Sequence, residues 1–527
     1  MKIMKTTYNK YIACALFAVS LGLSSCDSYL DKLPDNRMEL KDEQDIKDLL
    51  VSAYPTRTPA FLLERYSDNN DQFDVTGWND GERFEQEAYN WQDITDISMD
   101  ESPQELWQNS YIAIAAANQS LQAIEKQGNP TSLNAVRGEA LLCRAYSEFQ
   151  LANVFCNAYS PTTAASELGV PYPTAPEEHV GTQYERGTLK ELYDKINDDI
   201  ETALPLVEDQ YDQPKFHFTR AAAYAFAAKF NLYYCNYDKA IAYANNVLGT
   251  NTANGLRNWA SFYALTVNGQ VAPNAYVSST EDANLLLLSG YSQWGVYYGP
   301  YGVGNQYAHS QLISTTETLQ SPGPWGNSGA FGYTVWHNNS LSKYFINKIP
   351  YSFEYTDIQA GIGYAHTEIP AFTTDGTLLV RAEAKALKGD YAGAANDLNL
   401  EVQAMSTGKM SVTLDGINKF YSGIKDYTPT DPTPKKALHP VFTTITDATQ
   451  TNVIDAVLQL RRILTFGEGD RMQDIKRYGI VIYRRTLNRS SQVLQVTDSL
   501  TTNDPRRAIQ LPQDVISAGM QANPRNK

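Results

Sequence analysis

Positive charge is scarce in this 527-residue chain: 43 lysines and arginines stand against 59 aspartates and glutamates, a formal net charge of −16. A protein that grips nucleic acid needs a basic footprint to displace counterions from phosphates, so that function class is excluded. A peripheral hold on anionic lipid is excluded for the same reason. Cysteine is scarce too, at 5 residues. Outside the first 26 residues only Cys143, Cys156 and Cys235 remain, an odd number in no metal-binding pattern. Cys143 and Cys156, on one predicted helix, lie ~20 Å apart by helical rise and cannot bridge. All three are expected to act as small buried hydrophobes. The six histidines include no pair at i, i+4, so there is no zinc-protease helix. No Gly-x-Ser-x-Gly elbow and no phosphate-binding glycine loop occurs. The acid pairs Asp68/Asp71 and Asp198/Asp199 are the candidates for two-carboxylate chemistry. Asp198/Asp199, with Glu201 nearby, reads as a solvated helix face, and Asp68/Asp71 lacks a calcium-loop pattern. No catalytic residue, metal or cofactor is therefore expected.

Long apolar runs are missing as well. The longest, Ile12 to Leu23, falls short of the ~20 residues that cross a bilayer. It follows Lys2, Lys5 and Lys10 and precedes Leu23-Ser24-Ser25-Cys26, the form of a cleaved secretory signal. The small residues before Cys26 resemble a bacterial lipobox, in which that cysteine takes a diacylglycerol and becomes the mature N-terminus. The expected organisation is a signal peptide over 1–25, a lipidated tether over 26–40, a helical part over 41–250, an aromatic loop-rich lobe over 251–376, a second helical part over 377–510 and an extended tail over 511–527.

Helical periodicity carries most of the body. It predicts helices over 39–53, 106–127, 133–155, 189–206, 219–235, 237–248, 378–388 and 391–405, with Gly128 and Pro130 ending the second. Residues 54–104 read as loop. Ala221-Ala222-Ala223-Tyr224 before Tyr237-Asp238-Lys239-Ala240, and Arg381-Ala382-Glu383-Ala384 before Tyr391-Ala392-Gly393-Ala394, put small residues where two antiparallel helices meet. That is the pattern of tetratricopeptide-like hairpins, so the fold class expected is mostly α: a scaffold of such hairpins with an irregular lobe. Trp107 belongs to the core of its helix, and Leu285 to Leu288 to a core strand or buried turn. Arg461, Arg462, Arg471, Arg477, Arg484 and Arg485 are expected in surface ion pairs, with docking to a partner as the alternative.

What the chain has in excess is rings: 35 tyrosines and 7 tryptophans. Pyranose rings present apolar C–H faces that stack on Trp or Tyr while polar groups take the hydroxyls. Tyr291, Trp294, Tyr297, Tyr298, Tyr301 and Tyr307 lie among Gly295, Gly299, Gly302 and Gly304, with Trp325, Tyr333 and Trp336 beyond. The expected ligand contacts are Trp294, Tyr298 and Trp325, with Trp78, between Gly77 and Asn79, as a fourth.

Five segments in order resemble the SusD/RagB family of nutrient-binding lipoproteins. They are Cys26-Asp27-Ser28-Tyr29-Leu30-Asp31; Trp107…Tyr111…Ile114…Asn118; Gly138-Glu139-Ala140…Arg144-Ala145; Gly169-Val170-Pro171-Tyr172 followed by Arg186-Gly187-Thr188; and Glu468-Gly469-Asp470-Arg471…Asp474…Arg477. Leu460, Ile463 and Leu464 depart from the acids usual upstream of the last motif. The resemblance implies a SusD-like fold and a lipid-anchored protein on the extracellular side of the outer membrane. It implies capture of an oligosaccharide and its delivery to a TonB-dependent, SusC-like barrel transporter. A peptide-capturing member of the family and a scaffold for the transporter are the alternatives.

Overall fold

In a computed structural model, the chain is described at residues 40, 42–74, 83–177, 179, 182–265, 271–297, 306–338, 342–406 and 409–525. The signal segment, Cys26 and the tether up to residue 39 lie outside them. The fold is mostly helical, as expected. The helices used below are α1 (Pro103–Lys126), α2 (Asn134–Phe155), α3 (Leu189–Ala203), α4 (Arg220–Tyr233), α5 (Tyr237–Leu248), α6 (Thr374–Leu387), α7 (Tyr391–Met405), α8 (Ala448–Leu464) and α9 (Asp470–Arg477).

Local chemistry sets their ends. The Ser102 hydroxyl caps α1 by accepting from the Glu105 N–H, and Pro103 begins the first turn. Gly128, at φ +83°, takes the left-handed conformation that stops α1. Thr188 and Glu191 form a reciprocal capping box on α3. Asn236 and Asp390 cap α5 and α7 at the tight turns of their hairpins. Trp107 is buried, as are Cys143 and Cys156, and all three body cysteines are free thiols.

Neighbours in the helix stack run α1–α2–α3, then α4–α5–α6–α7, with α8 against α6 and α7. α5 packs directly on α6, so residues 249–373 are an insertion into a continuous stack. One buried clamp recurs. Arg144 of α2 grips Asp199 of α3 through two bonds of 2.7 Å and donates to Asn118 of α1 at 2.8 Å. Arg381 of α6 grips Asp397 of α7 at 2.8 and 2.9 Å and donates to Asn245 of α5 at 2.8 Å. Each arginine thus ties a preceding helix to a following one, and bidentate geometry fixes their angle. Both sit in Leu-Leu-x-Arg-Ala, at 141–145 and 378–382. Asp199 is therefore a buried clamp partner and not part of a solvated face.

The inserted lobe, expected to be irregular, carries β structure, part of it in a sheet shared with segments outside the insertion. Strands β1 (Asp71–Phe73), β3 (Tyr307–Ala308), β10 (Ile482–Leu487) and β11 (Val493–Leu500) form a four-stranded sheet in the order β11-β10-β1-β3. β2 (Asn284–Tyr291), which contains Leu285 to Leu288, pairs with β9 (Ile362–Thr373), and β9 with β8 (Ser352–Asp357). Two hairpins complete the lobe: β4 (Pro322–Gly323) with β5 (Gly326–Asn327), and β6 (Val335–Asn338) with β7 (Lys343–Ile346). The region 54–104 also holds two short helices, Ala60–Tyr66 and Arg83–Tyr89, too brief to set a clear period. No helix among the described residues is long and apolar enough to cross a membrane.

Candidate ligand-binding surface

The base of the site is a buried ionic layer. Asp68 accepts two bonds from Arg471 at 2.8 and 2.9 Å and one from Lys436 at 2.7 Å. Glu317 pairs with Lys436 and Arg462, both at 2.8 Å, and Asp71 with Arg485 at 2.8 Å. A second cluster sets Glu383 against Arg461 and Arg477, with Asp474 on Arg461 at 2.6 Å. Arg484 gives its bonds to the Ser67 and Tyr66 carbonyls and lies over the Trp91 ring. All six arginines expected on a helix surface are buried. Their partners are acids and carbonyls from distant parts of the chain, so neither surface ion pairing nor docking describes them. Asp68 and Asp71, weighed above for a cation or for hydrolysis, are instead neutralised by these cations. Burial raises the Glu317 and Glu383 carboxyls, but the surrounding guanidinium and ammonium groups outweigh it and hold each at about 2.

Strands β1, β3 and β10 meet at this layer. β1 lies parallel to β10, through Gln72 opposite Thr486, and antiparallel to β3, through Gln72 opposite Tyr307. The Phe73 N–H donates to the Gln306 carbonyl at 3.0 Å. Ser310, just past β3, donates to Asp71 at 2.5 Å. Residues 75–82 follow Asp74 and residues 298–305 precede Gln306 in the sequence. The β6–β7 hairpin joins the same place: Gln311 N–H donates to the Ser342 carbonyl at 2.8 Å, and Tyr344 N–H to the His309 carbonyl at 2.9 Å. Half-buried Trp336 packs on Phe345, and exposed His337 stacks on Tyr344.

Trp78 and Tyr298 lie in those two segments, outside the described residues. The other two expected contacts are buried, which corrects the expectation of exposed rings. Trp294 is 1% exposed and covers Gly467, whose missing Cβ would stand 2.7 Å from the ring. The space beside it is a cavity of only about 10 Å³, too small for a sugar. Trp325 is 5% exposed, donates from its indole N–H to Ser328 at 3.1 Å, and presses on Gly323 across the β4–β5 turn. The neighbouring glycines serve the packing of these rings against backbone, and neither ring offers a face to a ligand.

Surface rings occur instead at the end of the β2–β9–β8 sheet. Tyr291, at the last position of β2, meets Tyr364 edge to face at 5.5 Å and His366 at 5.8 Å. Arg57 lies over Tyr291 at 4.7 Å and is held by Asp100 and Glu105. Tyr355 and Tyr364 are exposed, and Phe353 packs on Tyr355. The rings of Tyr291 and Tyr364 thus share one face of the sheet with Ser289, Glu354 and Glu368, and Arg57 lies over Tyr291, groups able to take hydroxyls, while Phe353 and Tyr355 lie on the other face. Only Tyr291 of this group was singled out by the sequence. Tyr364 and His366 escaped because their rings meet Tyr291 across a strand pairing, which ring spacing along the chain cannot reveal. No group of three or more His, Cys, Asp or Glu suited to a metal occurs among the described residues.

Residues 28–232 match the family model SusD-like_3, described as starch-binding and associating with the outer membrane. Over that region the chain is similar in sequence to SusD-like proteins, and over nearly its whole length it has the fold of SusD superfamily structures. A SusD superfamily protein from Bacteroides thetaiotaomicron superposes with a TM-score of 0.62 at 20% identity, covering 92% of this chain and 99% of that one. A putative sugar-binding protein from Bacteroides vulgatus gives 0.64 at 18% identity, with 91% and 98% covered. A SusD-like carbohydrate-binding protein from the same species gives 0.57 at 16% identity, with 90% and 96% covered. No curated protein sequence matches the chain.

Proposed function

We propose that this protein is a lipid-anchored binding protein on the outer face of the outer membrane that captures an oligosaccharide and passes it to a TonB-dependent barrel transporter, with no bond broken in the ligand. The observation that carries this reading is the pairing of Phe73 with Gln306. In sequence, Trp78 lies five residues after Phe73 and Tyr298 eight residues before Gln306. The family description and the sugar-binding names of two structural relatives support a carbohydrate ligand. Attachment through Cys26 rests on the lipobox-like sequence before it.

In this reading Trp78 and Tyr298 stack on the ligand, while Trp294 and Trp325 hold the lobe together. Tyr291 and Tyr364 extend the contact surface. The test is retention of the lipid-free body on gels cast with soluble polysaccharides, followed by calorimetry with oligosaccharides from any polysaccharide that retains it. Trp78→Ala and Tyr298→Ala are each expected to weaken binding at least ~tenfold, ~1.4 kcal/mol. Unchanged affinity in both would remove the proposed site. Co-purification of bound peptides in place of sugar binding would favour the peptide-capturing alternative. Membrane attachment is checked separately: Cys26→Ala is expected to abolish labelling by radioactive palmitate.

A further inference from the structure

The β2–β9–β8 sheet ends in an unguarded edge. β8 pairs with β9 on one side only, and residues 352–357 make no other backbone hydrogen bond among the described residues. Every β8 residue is exposed. Edge strands in native proteins are usually blunted by lysine, proline or a covering element, because their free N–H and C=O groups recruit other strands. β8 has neither lysine nor proline, and its one interruption is the register shift between Tyr355 and Asp357. Large apolar side chains stand at this edge: Tyr355 is 55% exposed, Ile358 81%, Ile362 59% and Tyr364 54%. β9 is buried where Ile369 and Phe372 enter the core, so this end of the hairpin projects from a firm base.

Charge narrows the choice of occupant. Residues 351–373 contain Glu354, Asp357 and Glu368, and no lysine or arginine. His366 is engaged with Ser289 at 3.0 Å, and the guanidinium over Tyr291, that of Arg57, is committed to Asp100 and Glu105. A second copy of this chain would bring another acidic edge, and like charges across a strand pair are destabilising. We propose that β8 is a docking strand: an extended segment of a partner protein, with lysine or arginine alternating with β-branched or aromatic residues, adds to it as a fourth strand. Main-chain bonds supply the binding, and the acids with the flanking rings supply the selection.

The test uses the lipid-free body and the synthetic heptapeptide Lys-Val-Lys-Tyr-Lys-Val-Lys, with hydrogen exchange as the readout. In the free protein the amides of 352–357 are expected to exchange as fast as those of an exposed loop. Saturating peptide is expected to slow the outward-facing amides at least ~tenfold. A peptide of the same sequence, N-methylated at alternate residues, is expected to give no protection. Glu354→Lys, an exposed substitution, is expected to weaken the protection at least ~tenfold, whereas Asp357 is left in place because its carboxylate accepts from the Gln359 and Ala360 N–H groups of the turn, both at 2.9 Å. Absence of protection by the heptapeptide, or equal protection by its methylated or glutamate-for-lysine counterparts, overturns the proposal. Edge amides already protected in the free chain overturn it too, since the occupant would then belong to this protein.

Discussion

Replacing Asp68 by asparagine tests whether the ionic layer holds the lobe to the helices. The side chain keeps its shape and loses its charge. Asp68, Asp71 and Glu317 face Lys436, Arg462, Arg471 and Arg485, so the cluster already carries one more cation than anions. The substitution leaves Arg471 without its bidentate carboxylate and Lys436 with Glu317 alone. At an effective dielectric of ~20, a single pair at ~4 Å is worth ~4 kcal/mol before desolvation. Breaking a buried pair while its partner stays buried typically costs about 3–5 kcal/mol. Urea denaturation at neutral pH is therefore expected to show a loss of about that size, with an unchanged slope if the denatured state is unaltered. Asp431→Asn, at the exposed Lys425–Asp431 pair, is the control and is expected to stay within ~0.5 kcal/mol of the parent. A loss at Asp68 no larger than at Asp431 would refute the assignment of the layer as structural.

Three further outcomes rest on buried groups elsewhere in the molecule. Trp294→Ala is expected to cost about 3–5 kcal/mol by opening a cavity against Gly467, measured by thermal or urea unfolding. Stability is expected to fall on both sides of mildly acidic pH. Glu317 and Glu383 are depressed from 4.5 to about 2, so their contribution is present above 4.5 and is lost as the pH falls toward 2. Glu64 and Glu101 run the other way: burial raises them from 4.5 to about 7 and about 8, so the advantage of their neutral forms is lost as the pH rises through those values. Glu101→Gln is expected to flatten the alkaline side, read by unfolding across a pH series. The Cys143 and Cys156 thiols, raised by burial, are expected to resist alkylation in the folded protein and to react on unfolding.

Helices α1 to α7 were legible because caps and periodicity agree, as at Ser102 and Gly128 for α1 and at Asn236 and Asp390 for the hairpin turns, whereas α8, apolar on more than one side, was not among the predicted helices. The burial of Arg461 to Arg485 was not legible, since their partners Asp68, Asp71, Glu317 and Glu383 lie far away in the chain. A signal was nonetheless present. Leu460, Ile463 and Leu464, interleaved with Arg461 and Arg462, are all buried, and a helix apolar on more than one side is enclosed on more than one side. The Leu-Leu-x-Arg-Ala repeat is a second such signal, since it places both clamp arginines on apolar helix faces. The rings misled for a definite reason. Glycine beside tryptophan marks either a loop open to a ligand or a close backbone approach, and Gly295, next to Trp294, is of the second kind: a Cβ there would stand 2.6 Å from the Pro350 carbonyl oxygen. Among the described members of the predicted arc, Tyr291 and Trp336 are half-buried, while Trp294, Tyr307, Trp325 and Tyr333 are buried.

The central claim, capture of a sugar by Trp78 and Tyr298, is tested most directly by calorimetry. The lipid-free body and its Trp78→Ala and Tyr298→Ala variants would be titrated with oligosaccharides from a retained polysaccharide. The account predicts saturable binding by the parent, loss of at least ~tenfold in affinity in each variant, and unfolding midpoints unchanged among the three. Equal affinity in all three proteins, or no heat from any oligosaccharide while peptides co-purify, would contradict it.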